Sequence, residues 1–308
     1  MEGRANGRAM EDENPKRRPW VVYVLCTIPL WLALSGGVGI WGYFRAKKAE
    51  DRKEAARFAT VVSASSMADD FHKLAVVIGA RNSSVDAGRG LTRAASWIEG
   101  ILGPSNTGYA VQKVIDPESG AWPILRVDVR GADEKAAPLW MVTAYDSPND
   151  EAGNADASSG VIAMIAAAQA IAGEKPHRPL RFVFLPHGNE SSPRVALTEA
   201  RLVRMIREEG TAASILCIGN MRGGEGISLA TKDAANQALS VVQGLGEVLS
   251  AARIEGTLAA RLDAEGLPAV AVASIATHGT ADGASEAEVL ASSTGRMVEL
   301  VRRLMVRK

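Results

Sequence analysis

The sequence carries no excess of either charge: 35 Lys and Arg stand against 35 Asp and Glu in 308 residues. That balance argues against a nucleic-acid binder, which needs a basic surplus to neutralise phosphates. Cysteine is nearly absent. The two that occur are Cys26, inside an apolar run, and Cys217, in a stretch read as a buried strand. A disulfide between them is not expected, and the redox compartment stays open. Internal repeats and low-complexity tracts are also missing. Histidine is scarce, with four in the chain. Of these, His72 and His177 show no evident partner and read as surface residues, and His187 reads as a solvated loop residue, with a replacement metal ligand as the alternative. What remains is ordinary for a globular protein, 47% hydrophobic and 23% charged, with room for one sizeable domain plus appendages.

Charge is absent altogether from Trp20 to Phe44. About 20 such residues suffice to cross a bilayer as a helix, and Trp20, Tyr23, Trp41, Tyr43 and Phe44 suit the two interfaces. A cleaved signal peptide is the alternative, but the run is long for one and no small-x-small site ends it. Residues 19–44 are therefore expected to be one transmembrane signal anchor, in contact with lipid. Lys16, Arg17 and Arg18 flank one side and Arg45, Lys47 and Lys48 the other, so the positive-inside rule gives no orientation. Within the run, Gly37-Val38-Gly39-Ile40-Trp41-Gly42 matches GxGxxG, but no strand precedes it, and close helix packing explains it better than a dinucleotide.

Residues 1–18 read as a polar tail and 45–84 as a helical stalk, with a break at Arg81-Asn82-Ser83-Ser84. From 85 to 308, helix and strand patterns alternate. Helices are expected near 89–102, 158–172, 194–209, 234–252 and 285–306. Strands are expected near 123–129, 139–143, 180–185, 214–218, 227–230 and 268–274. Leu180 to Leu185 and Ile215 to Ile218 are short apolar runs of the kind buried inside a sheet. The alternation predicts a three-layer α/β/α sandwich around a mixed, mostly parallel sheet.

Two short motifs carry the chemistry. Ala144-Tyr145-Asp146-Ser147 follows one strand, and Gly153-Asn154-Ala155-Asp156-Ala157-Ser158-Ser159-Gly160 comes soon after. With Pro123 to Val129, Leu180 to Phe184, Gly266-Leu267-Pro268-Ala269-Val270 and Thr277-His278-Gly279, their order and spacing resemble the co-catalytic zinc aminopeptidases. That family also includes glutaminyl cyclase and the ectodomains of transferrin receptor and nicastrin. The resemblance covers roughly residues 89–307 and implies a zinc-exopeptidase-like fold. In active members two zincs share a bridging Asp and lower the pKa of a bound water.

Carried over residue by residue, the resemblance implies a damaged centre. Asp156 falls on the bridging Asp, but Ala144 stands where the first His ligand should be, and Asn220 where a later Asp ligand should be. Asp146 survives as the carboxylate that positions the ligand shell. His278 fits the last His, although a loop residue is an equal alternative. Only one Glu, Glu190, stands where the family has two. Aligned one way it is the general base and Ser191 replaces the ligand; aligned the other way it is the ligand and Asn189 replaces the base.

The resemblance thus implies a membrane-anchored, catalytically degenerate domain that binds or scaffolds a peptide or protein partner outside the cytoplasm, periplasmic in a bacterium. It would hold either no cofactor or one zinc ion on Asp156, Glu190 and His278. That single-zinc set would make the chain a glutaminyl-cyclase-like enzyme, and a zinc aminopeptidase with other ligands is the remaining alternative. Ala144, Asp156, Asn220 and His278 are expected to converge at the strand ends, where open α/β sheets place their sites.

Overall fold

In the computed structural model, residues Trp20, Thr27, Trp31, Gly37, 39–43 and Arg45 are described, followed by 61–115, 122–148, 150–276 and 284–306. The chain divides into two units, 1–53 and 54–308. In the first, the described residues are helical and exposed. The tail 1–18 and most of the expected anchor 19–44 lie outside the described residues. Among those described, no helix is long and apolar enough to cross a membrane.

The second unit is built on an eight-stranded sheet. In chain order the strands are β1 (Val111–Val114), β2 (Ile124–Val129), β3 (Leu139–Ala144), β4 (Leu180–Leu185), β5 (Ser214–Ile218), β6 (Gly226–Ala230), β7 (Gly246–Val248) and β8 (Ala269–Ile275). Across the sheet the order is β1-β2-β4-β3-β5-β8-β6-β7. The centre β4-β3-β5-β8 is parallel. Antiparallel pairings join β2 to β4 and β6 to β8 at its flanks.

The period-two alternation of strand side chains divides the core between the two faces. Leu139 and Met141 of β3 pack in one apolar layer, while Trp140 and Val142 pack in the other. The first layer is covered by helices α1 (Ala64–Phe71), α2 (Arg89–Leu102), α3 (Glu151–Ile171) and α6 (Glu286–Val306). The second is covered by α4 (Pro193–Glu209) and α5 (Leu258–Ala264). The result is the expected three-layer sandwich with a mixed sheet.

Helix α3 is apolar on every side because it lies between the sheet and other helices. Val161, Ile162, Met164, Ile165 and Ile171 are fully buried, each contributing about 1.5–3 kcal/mol. It begins seven residues before the expected start at 158. The reason is Asp150, whose carboxylate accepts the N–H of Gly153 at 2.6 Å and caps the helix. Asp156 therefore sits inside a helix, not in a loop.

Two expectations are corrected. Within the stretch 45–84, read as a stalk outside the domain, the described residues 61–84 supply part of its core. Met67, Leu74 and Ile78 are buried on α1 and its wider-turned continuation His72–Ile78, and α1 packs on α3 and α6. The helix expected at 234–252 is instead one turn (Gln237–Val241), then β7 and a 3-10 turn. Gly244 takes a φ of 78° there, and the next glycine, Gly246, lies against the carbonyl of Ile227. That backbone cannot continue a helix.

Candidate functional site

Strand β3 ends at Ala144 and delivers Tyr145, Asp146 and Ser147 to the edge of the sheet. Asp146 is fully buried. Its Oδ2 accepts three consecutive backbone N–H groups, from Gly188 (3.0 Å), Asn189 (2.9 Å) and Glu190 (2.8 Å). The Asn189 side-chain amide donates to the Asp146 carbonyl at 3.0 Å. Burial pushes the carboxyl up to about 6; the three N–H donors pull it down and nearby Glu190 adds to the rise. Asp146 thus organises the loop after β4, consistent with a positioning carboxylate.

That loop occupies the space above position 144. A Cβ placed on Gly188 would lie 2.6 Å from the Ala144 methyl. The Gly188 backbone thus packs directly against the Ala144 methyl, with both residues also lining the cavity described below.

Glu190 is held twice. One oxygen, Oε1, lies 2.7 Å from Nδ1 of His187. The other accepts the Ser83 N–H at 2.8 Å and the Ser83 hydroxyl at 3.0 Å. His187, expected in solvent, is fully buried and meets the Trp122 ring edge-on, with centroids 5.6 Å apart. The pull of Asp146 on the adjacent amides draws this loop inward and carries the imidazole with it. Asp146, His187 and Glu190 form the one group among the described residues with ligand atoms close enough for a metal, all within 4.8 Å of one another. Ligands on tetrahedral zinc with bonds of ~2.0 Å stand about 3.3 Å apart, and His187 Nδ1 and Glu190 Oε1 are closer than that, at an ion-pair separation.

Arg81 anchors the same region, and sequence reasoning passed over it. It is fully buried. Its guanidinium donates to the carbonyls of Tyr145 (2.8 Å), Leu74 (3.1 Å) and Gly79 (3.0 Å) and to Asn154 Oδ1 (2.7 Å). Its backbone exchanges hydrogen bonds with Ser147, N–H to hydroxyl at 3.0 Å and carbonyl to N–H at 2.8 Å. Burial lowers its pKa to about 10, against support from Asp146.

Asp156 and Asn220 face each other where α3 meets the end of β5. The Asn220 side-chain oxygen accepts the Arg222 N–H at 2.8 Å and the Ser159 hydroxyl at 3.3 Å. Arg222 then reaches back, with Nη1 3.3 Å from Asp156 Oδ1 and Nε on the carboxylate of Glu286. His278 lies outside the described residues. A two-zinc centre does not fit these residues. A methyl stands at 144, Asn220 is a neutral amide, and the Asp156 carboxylate is paired with a guanidinium.

Ala144, Asn189, Asn220 and Ser274 share the wall of a cavity of about 670 Å³ that runs beneath residues 249–258, with Arg253 and Arg261 also lining it. Cys217 lines it too, but burial pushes its thiol up to about 12, which excludes it as a nucleophile near neutrality.

No family model and no curated protein matches the chain. Solved structures do. LapA aminopeptidase of Legionella pneumophila superposes with a TM-score of 0.61 at 13% identity, over 84% of this chain and 75% of that one. LapB of the same organism gives 0.60 at 12%, over 80% and 73%. A Zn-dependent exopeptidase from Parabacteroides distasonis gives 0.54 at 14%, over 79% and 99%. The chain has the fold of the co-catalytic zinc aminopeptidases.

Proposed function

We propose that this protein is a metallopeptidase-fold domain that no longer hydrolyses peptides and instead binds a peptide or protein segment in the cleft beside Ala144 and Asn220. The observation that carries this reading is the contact of Gly188 with the Ala144 methyl. A methyl at 144 offers no lone pair and the Gly188 backbone packs against it, so no rotamer change supplies the missing ligand. A residual zinc on Asp156, Glu190 and His278 has less support, because Glu190 is engaged by Ser83 and His187 while Asp156 is engaged by Arg222. The uncharged run 20–44 supports attachment to a bilayer, and only the resemblance supports a domain outside the cytoplasm.

The test is turnover of a panel of aminoacyl chromogenic amides by the full chain, with and without added zinc. No zinc-dependent release is expected. Turnover at ordinary enzyme rates, about 1–10³ per second, would sink the reading. Carbonate extraction and protease accessibility of intact cells check the membrane placement, and a domain washed off by carbonate would contradict it.

A further inference from the structure

We propose that the guanidinium of Arg222 is the resident cation of this centre, taking the place of a metal charge and excluding a divalent ion from Asp156. The inference deepens the non-catalytic reading and rests on its placement of Asp156 at the former metal position.

Local geometry aims the side chain. Asn220 Oδ1 accepts the N–H of Arg222 two residues on, an Asx-type turn that closes the chain after β5. Gly223 N–H on the Ser274 hydroxyl, at 2.5 Å, holds the far side of the turn. The guanidinium is directed back across the ends of three helices. It meets Asp156 on α3, Glu286 at the start of α6 and, 5.4 Å from the ring centroid, the face of Phe71 at the end of α1. A planar cation with donors on several edges can join two carboxylates from different elements while its face rests on an aromatic ring.

This is the bridging work that a metal ion does, performed by a side chain. It also disfavours the metal. A zinc ion on Asp156 Oδ1 at ~2.0–2.2 Å would lie beside a guanidinium nitrogen already 3.3 Å from that oxygen, and one on the other oxygen of the same carboxylate would still face that cation. Arg222 is 28% exposed at its side chain while Asp156 and Glu286 are 48% and 49% exposed, so solvent screens much, though not all, of the repulsion between the two cations. Removal of Arg222 leaves Asp156 and Glu286 without their shared counter-charge, and an added divalent ion then becomes the available one.

The experiment uses the full chain in detergent, with zinc content measured by mass spectrometry after dialysis and Tm measured with EDTA or added zinc chloride. Wild type should come through dialysis free of zinc, with a Tm that neither addition moves. R222A should melt lower by about 2–5 °C and recover most of that loss when zinc is added, with zinc retained after dialysis. R222Q, which keeps hydrogen-bonding capacity without charge, gives the same readout if R222A does not fold. R222K, which keeps the charge, should behave as wild type. Equal zinc content in wild type, R222A and R222Q overturns the inference, as does stoichiometric zinc in wild type. The two readings fail separately. Peptidase turnover by zinc-free wild type sinks the non-catalytic reading alone, and zinc retention by an inactive wild type sinks this one alone.

Discussion

Asp146 Oδ2 accepts the backbone N–H of Glu190 at 2.8 Å, so one carboxylate fixes where the next one points. The side chain of Glu190 is thereby turned to Ser83 and His187. The arrangement sets an acid that folding makes harder to ionise beside a loop that depends on its ionised form.

Asp146 should therefore leave a pH signature. Its carboxyl is held at about 6 against an ordinary 3.8, because burial opposes the charge more than the N–H donors support it. The native state binds this proton more readily than the unfolded state does. Its contribution is fully present below 3.8 and is lost as pH rises through about 6. Asp70, raised to about 6 by burial and then by Asp69, acts in the same direction and window. In urea unfolding between pH 4 and 7, the stability of wild type minus that of Asp146→Asn should fall by about 2–3 kcal/mol. A difference flat across that range contradicts the assignment.

Gly188→Ala should cost about 1–3 kcal/mol, since its new methyl meets that of Ala144. Ala144→Gly in the same chain should recover most of the loss, giving a coupling energy of about 1 kcal/mol or more in a double-mutant cycle. Additive effects would show that the loop yields elsewhere.

Ala144→His restores the ligand type that the resemblance asks for, yet it should destabilise the fold without recruiting zinc. The added imidazole would crowd the Gly188 backbone, which packs on the present methyl and carries one of the three N–H bonds gathered on Asp146. Calorimetric zinc titration of the variant checks this, and a tight zinc site there would show that the loop can open.

Arg81→Met should lose about 3–5 kcal/mol, because it strands four acceptors at once, two in buried and two in part-buried hydrogen bonds. Arg81→Lys should recover little, since an ammonium cannot span acceptors arranged for a guanidinium. Denaturant midpoints measure both, and a loss below about 1 kcal/mol for Arg81→Met would remove Arg81 from the support of the site.

The strands of the sheet centre were legible because burial on both faces demands unbroken apolar runs, and Leu180 to Leu185 is one. The last helix was legible from its stripe of Leu290, Met297, Leu300 and Leu304, all buried. Strand β1 was missed: Val-Gln-Lys-Val is four residues at a sheet edge, with its two central side chains exposed, and carries no such run. At the site, the order of motifs singled out Ala144, Asp146, Asp156 and Asn220. His187 was marked only as an alternative ligand and Arg81 only as part of a break, since a polar loop residue reads alike whether water or buried groups surround it. Arg222 carries no motif of its own, because its partners Asp156 and Glu286 are 66 and 64 positions away.

The segment that leads into the domain is stitched to the floor of the cleft. Arg81 ties the carbonyls of Leu74 and Gly79 to that of Tyr145, and two residues later Ser83 holds Glu190. A pull on the chain at Val62 would meet the packing of α1 on α3 and α6 first and these bonds next. The Glu190 loop is thus tied, through Arg81 and Ser83, to the segment that a load on the N-terminal end of the domain would move.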